Sequence, residues 1–169
     1  MRKLTLLLAL LAVSVLSLSA QRYGHLNFGN LLSIMPESKA ANDTLAALQK
    51  TMVAKGEAMA ASFEKDYVAF VKAVQAGDLP PRDQQNQEAS LRKRQEEIVA
   101  YEEEIMATIE AKRNELLKPI IDKAQETIET VARENGYVMV FDTSIFNAIM
   151  YAEETEDLMP KVKEKLGIQ

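Results

Sequence analysis

The only histidine in the chain, His25, stands between Gly24 and Leu26, with no cysteine or carboxylate spaced to work with it. Cysteine is absent, which removes thiol nucleophiles, disulfides and a lipid-bearing N-terminal cysteine. Without a second imidazole there is no His-x-x-x-His pair for a transition metal. There is no G-x-S-x-G elbow, and Gly24, Gly29 and Gly56 are too scattered to cradle a phosphate. Glu102, Glu103 and Glu104 are consecutive, so on a helix they fan across about 200° and cannot converge on one ion. Arg92-Lys93-Arg94 forms a local basic spot, but Glu88, Glu96 and Glu97 surround it. His25 therefore reads as a structural or surface residue. No enzyme, metal or cofactor is expected.

A softer signal remains. Met52, Met59, Phe63, Tyr67, Phe70, Tyr101 and Met106 distribute thioethers and aromatics along what reads as helix. Most should pack between helices. Any that face open space would suit sequence-tolerant contacts with unfolded chains, because methionine repacks easily. Met59, Phe63, Tyr67, Phe70, Tyr101 and Met106 are the candidate contact residues.

Two long helical runs must position these side chains. They span 37–76 and 84–135, and Gly77-Asp78-Leu79-Pro80-Pro81 breaks them at a tip near 77–83. At 1.5 Å per residue they would be about 60 and 75 Å long. The first carries an apolar stripe at Leu45, Leu48, Met52, Gly56, Met59, Phe63, Tyr67, Phe70 and Val74, repeating every eleven residues. The second echoes it with Ile98, Ile109, Ile120 and Val131, supported by Ile105 and Leu116. That period averages about 3.67 residues per turn, so the arms should pair straight or with a slight right-handed twist. Matching stripes across a short turn predict an antiparallel hairpin. Gly56 either lets its arm flex or lets the arms approach closely, and Lys112 falls near the opposite seam. Pro119 should kink the second run and set off a basal segment after it.

Short strand-like pieces flank the hairpin. Residues 23–28 alternate as a first strand, and Leu31 to Met35 could form a helical turn before Pro36. Asn135-Gly136 should end the long helix with a left-handed cap. Tyr137-Val138-Met139-Val140-Phe141 is apolar on both faces and reads as a buried strand, and 147–151 as a third strand. Leu158 to Leu166 should form a last short helix. A sheet this small cannot bury both faces within one chain, and oligomerisation is the standard remedy. The base, 21–36 with 136–169, is thus expected to assemble copies of the chain through Leu26, Phe28, Val138, Val140, Phe141 and Ile149. The expected fold class is α+β, predominantly α: a long helical hairpin on a small β-rich oligomerisation base.

Residues 1–20 have their own composition. Arg2-Lys3 precedes an apolar stretch from Leu4 to Leu18, and Ser17-Leu18-Ser19-Ala20 supplies small residues for cleavage. That layout is a secretory signal peptide, with Ala20 the favoured residue before the cut and Ser19 the alternative, because Leu18 at the −3 position does not suit a cut after Ala20. Removing Arg2 and Lys3 from the 20 basic residues leaves 18 against 25 acidic ones, a net charge of −7. Such a chain is a poor match for nucleic acid or an anionic membrane.

The order of these pieces resembles the Skp/OmpH family of periplasmic chaperones across essentially the whole mature chain. The diagnostic parts are Met35-Pro36-Glu37 opening the hairpin and Val138-Met139-Val140-Phe141-Asp142 after the long helix. The resemblance implies a homotrimer whose base joins three helical tentacles around a cavity. It also implies an ATP-independent holdase for unfolded outer-membrane β-barrel proteins in the periplasm, without stable membrane insertion. One departure is clear. The best-known members are strongly basic, whereas residues 64–100 here carry six Lys/Arg against seven Asp/Glu. Client contacts are therefore expected to lean on apolar surface. The competing expectation is a structural coiled-coil protein of the cell envelope, which needs a leader and a hairpin but no cavity.

Overall fold

The computed structural model describes residues 21–168, so the leader assigned to 1–20 lies outside the described residues. The elements are β1 (Arg22–Leu26), α1 (Phe28–Ile34), α2 (Pro36–Ala76), α3 (Pro81–Glu134), β2 (Tyr137–Asp142), a 3-10 turn (Glu154–Glu156) and α4 (Met159–Leu166). The described residues separate into two compact units, 21–35 with 122–168 and 36–121.

In the base, β1 and β2 pair in parallel. Arg22 stands opposite Tyr137, an irregularity follows, and 23–26 then match 139–142 in register. The first strand stops at Leu26, two residues earlier than its alternation suggests, because Asn27 caps α1. The Asn27 side chain accepts the Asn30 N–H at 2.8 Å, satisfying a donor that the helix start leaves open. Asp142 fixes the same corner from β2. Its carboxylate accepts Phe28 N–H at 3.1 Å, Ser144 N–H at 2.8 Å and the Ser144 hydroxyl at 2.8 Å. Burial pushes that carboxyl up, but the three donors prevail and hold it below its ordinary value.

The core of this unit is small and dense. Leu31, Met35, Leu158 and Val162 are fully buried, joined by Leu26, Ala124, Val131, Ala132 and Tyr137. Gly136 has φ 73° and closes α3 as a left-handed cap. Gly24 has a steric reason that sequence pattern alone does not reveal. A β-carbon there would collide with Leu158 Cδ1 and press on the Tyr137 ring at 3.1 Å. The bare backbone lets the Leu158 side chain reach the strand.

The expected third strand at 147–151 is absent. Ile145 to Ala148 turn instead, with Ala148 N–H bonded to the Ile145 carbonyl at 3.2 Å and Asn147 at φ 60°. β-propensity needs a partner edge, and the edge of β1 away from β2 is taken. His25 bridges Asp157, and its carbonyl accepts the Leu158 N–H at 2.8 Å. His25 Nε2 lies 2.9 Å from the Glu153 carbonyl, within hydrogen-bond reach. The one imidazole thus straps the 153–158 segment onto β1.

In the other unit α2 and the outer part of α3 form the hairpin. Gly77 takes φ 74° at the end of α2, and its N–H bonds the Val74 carbonyl at 3.1 Å. Pro81 opens α3 where a missing N–H costs nothing. The assigned helix runs on through Pro119.

The Gly24 contact makes a test of the base. Gly24→Ala should cost about 1–3 kcal/mol by overpacking, read by denaturant unfolding at fixed protein concentration. Combined with Leu158→Ala, the two costs should fall short of their sum by about 0.5 kcal/mol or more. Strict additivity would mean that the two positions do not press on each other.

Candidate functional site

The hairpin arms meet along the stripe that the eleven-residue repeat defines. Leu45 is buried, while Leu48, Met52, Gly56, Met59, Phe63, Phe70 and Val74 are half-buried. Ile98, Ile105, Ile109 and Leu116 are half-buried on the facing arm. Contacts join residues at similar distances from the tip, as antiparallel pairing requires. Tyr101 is the most enclosed of them at 7 % exposure. Its hydroxyl donates to the Met52 carbonyl at 3.3 Å, and Lys55 Nζ sits 4.4 Å from the ring centroid. Its ring lies against Gly56, where a β-carbon would meet it at 3.6 Å, an ordinary contact. Space therefore does not compel glycine there. Nearer the tip, the Arg94 guanidinium pairs with Asp66 across the seam and donates to Ser62 Oγ at 2.9 Å.

Six hairpin positions were expected to contact a client, and they sort by exposure. Tyr101 is committed to the seam. Met59, Phe63 and Phe70 are half-buried, each with part of its surface free. Met59 borders a groove of about 320 Å³ with Lys55, Ser62, Arg94 and Ile98. Tyr67 is 50 % exposed and stacks on Phe63, with ring centroids 6.0 Å apart. Met106 is 70 % exposed. Val53, Val68 and Val99 are exposed too. They lie off the stripe, and apolar residues out of phase with an amphipathic period are the signal that would have found them.

The basic triplet is neutralised locally. Arg92 pairs with Glu88 at 3.4 Å, Lys93 with Glu97 at 3.8 Å, and Arg94 with Asp66. Lys112, close to the seam, turns to Glu115 at 2.6 Å. Glu102, Glu103 and Glu104 are all exposed. Among the described residues, no group of three His, Cys, Asp or Glu is placed to hold a metal ion. No helix there is long and apolar enough to cross a membrane.

The six positions expected at an oligomer interface occupy the base. Leu26, Phe28, Val140 and Phe141 line one groove of about 450 Å³ together with Gln125 and Ile128. Leu26 is only 2 % exposed and belongs to the core of its own chain. Val138 and Phe141 are open to solvent, as is Met139 between the expected positions. Ile149 is half-buried in a second groove with Tyr23, Phe141 and Tyr151. The loop that replaces the third strand adds apolar surface, with Phe146, Met150 and Tyr151 at 80 % exposure or more.

A polar cluster that sequence reading missed closes the outer edge of the base. Arg22 donates to Tyr137 Oη at 3.0 Å, to Glu156 at 2.9 Å and to the Asn135 carbonyl at 3.3 Å. Its guanidinium also lies 4.5 Å from the Tyr137 ring centroid. Burial pushes the Tyr137 phenol above its ordinary value, and Glu156 adds to that against Arg22. The Glu156 carboxyl is held below its ordinary value, first by the Tyr137 hydroxyl and then by Arg22. Arg22 lies more than 110 residues from each of these partners in sequence, so no local motif announces the cluster.

The hairpin unit carries exposed apolar side chains, and the other unit carries an open apolar strand. Residues 22–166 match the family described as outer membrane protein (OmpH-like). The chain belongs to that family. A crystal structure from Caulobacter crescentus CB15, assigned as an outer membrane chaperone (OmpH-like), has the same fold, with a TM-score of 0.74. The superposition covers 88% of this chain and 85% of that one at 13% identity. No curated protein sequence matches.

Gly56 supplies a test of the seam. Because a methyl group meets Tyr101 at ordinary contact distance, Gly56→Ala should stabilise the hairpin by about 1 kcal/mol through helix propensity. Thermal unfolding followed by circular dichroism reads the shift. A lower midpoint would mean that the arms close more tightly on Gly56 than its 3.6 Å contact indicates.

Proposed function

We propose that the exported chain is an ATP-independent holdase chaperone of the periplasm. Copies of it assemble through the base, 21–36 with 136–169, as a homotrimer, and the hairpins, 37–135, wall a cavity for unfolded outer-membrane β-barrel proteins. The observation that carries this reading is the OmpH-like match along 22–166. The chaperone assignment of the Caulobacter structure supports it.

Physical features agree with each part. A holdase needs no nucleotide site, because holding an unfolded client lowers the free concentration that can aggregate. A base that leaves Val138, Met139 and Phe141 exposed gains by covering them with further copies, and burial is worth about 25 cal/mol per Å². Phe28, Val138, Val140, Phe141 and Ile149 are the proposed interface positions, with Leu26 supporting them from the core. Tyr67 and Met106 are the most open of the proposed client contacts, and Met59, Phe63 and Phe70 contribute their free edges. Basic side chains already paired with carboxylates have little charge left for a client.

The activity is tested by dilution of an unfolded β-barrel protein from denaturant. The chain should suppress its aggregation without ATP, and a variant lacking residues 53–101 should not. A structural coiled-coil protein would leave aggregation unchanged. Affinity for the same client should change little between about 50 and 500 mM salt, although the Debye length falls roughly threefold. A steep loss would assign the binding to charge.

A further inference from the structure

We propose that Gln21 is the first residue of the exported chain and that it closes on itself to a neutral pyroglutamyl lactam. This rests on the reading of residues 1–20 as a leader cut after Ala20. Cleavage there frees the α-amine of a glutamine, and the reaction is an internal aminolysis. The amine nitrogen attacks the side-chain Cδ, and a new C–N bond closes a five-membered ring. The bond from Cδ to Nε2 breaks, and Nε2 leaves as ammonia with a proton from the attacking amine. No oxidant, reductant or second substrate enters.

The structure places a promoting group at the reacting amide. During the attack, negative charge accumulates on Oε1, and a hydrogen-bond donor aimed at that oxygen stabilises it. The Tyr23 hydroxyl donates to Gln21 Oε1 at 2.8 Å. Tyr23 is held by β1, and its ring packs beside Phe141 with centroids 6.4 Å apart. The donor therefore sits on regular structure rather than on a loose end. Gln21 itself is exposed, so the amine can lose its proton to solvent and the ammonia can depart.

Two consequences follow for the base. An α-ammonium at residue 21 would carry a charge that is costly to desolvate if an assembly covered it. The lactam carries none. The ring also blocks aminopeptidases, which need a free amine. Loss of Gln21 would expose Arg22, whose bonds to Tyr137, Glu156 and Asn135 close the edge of the base.

The full chain, expressed with its leader in an exporting bacterium, is analysed by tandem mass spectrometry of its N-terminal peptide. The expected species begins at Gln21 and is lighter by one ammonia. A free-amine Gln21 in aged protein overturns the lactam and leaves the leader assignment standing. A retained leader, or a start elsewhere, overturns both. Promotion by Tyr23 is tested on a chain whose leader is replaced by a removable tag, so that Gln21 is released at a known time. Tyr23→Phe keeps the ring without the donor and should slow ammonia loss several-fold. Equal rates in the two chains overturn the role of the hydroxyl.

Discussion

The parallel pairing of β1 with β2 is the constraint on which the rest of this structure depends. Parallel neighbours cannot be joined by a tight turn; they need a crossover. Here the crossover is everything between Leu26 and Tyr137. A flexible loop of that length would pay closure entropy with no contacts in return. An antiparallel helix pair avoids this, because its two arms return the chain to where it left and bury their own stripe on the way. The strand pair and the hairpin therefore require one another. The first needs its ends brought together, and the second provides ends that already lie side by side.

That mutual requirement explains why much of the fold is legible in sequence. The eleven-residue repeat from Leu45 to Val74 is a one-dimensional record of the seam, and burial follows it at every position except Tyr67, which is exposed. Gly77 and Gly136 stand at helix ends where positive φ is needed, so their residue type carries the information. The failures have an equally local cause. Residues 147–151 have strand-like composition, but the free edge of β1 is claimed by Asp157 and Leu158 from much later in the chain. Tyr101 has the look of an adaptable contact residue, yet it is enclosed by Met52, Lys55 and Gly56 on the opposite arm. Periodicity reports the face on which a residue lies. It does not report what stands across from it.

The same distinction separates the legible and illegible parts of the candidate site. A stripe picks out seam residues well, and so it picks out free surface poorly. Val53, Val68 and Val99 are exposed because they fall out of phase. The chemistry of Met106 is visible in the sequence, and its exposure is a fact of three dimensions. The Arg22, Tyr137 and Glu156 cluster is assembled from both ends of the chain and has no signature in either. Charge, by contrast, was readable from counts alone. The near balance of residues 64–100 becomes local pairing of Arg92, Lys93 and Arg94, which leaves no unopposed basic patch among them.

If the hairpin holds clients as proposed, its apolar side chains carry the recognition. Photo-crosslinking tests this directly, with the probe at Met106 on the exposed face, at Tyr101 in the seam, or at Glu103 on the charged face. An unfolded β-barrel protein is added at low and at high salt. Apolar recognition should give strong adducts from position 106 that persist at high salt, and weak ones from 101 and 103. Adducts confined to position 103 and abolished by salt, or none from 106, would contradict it.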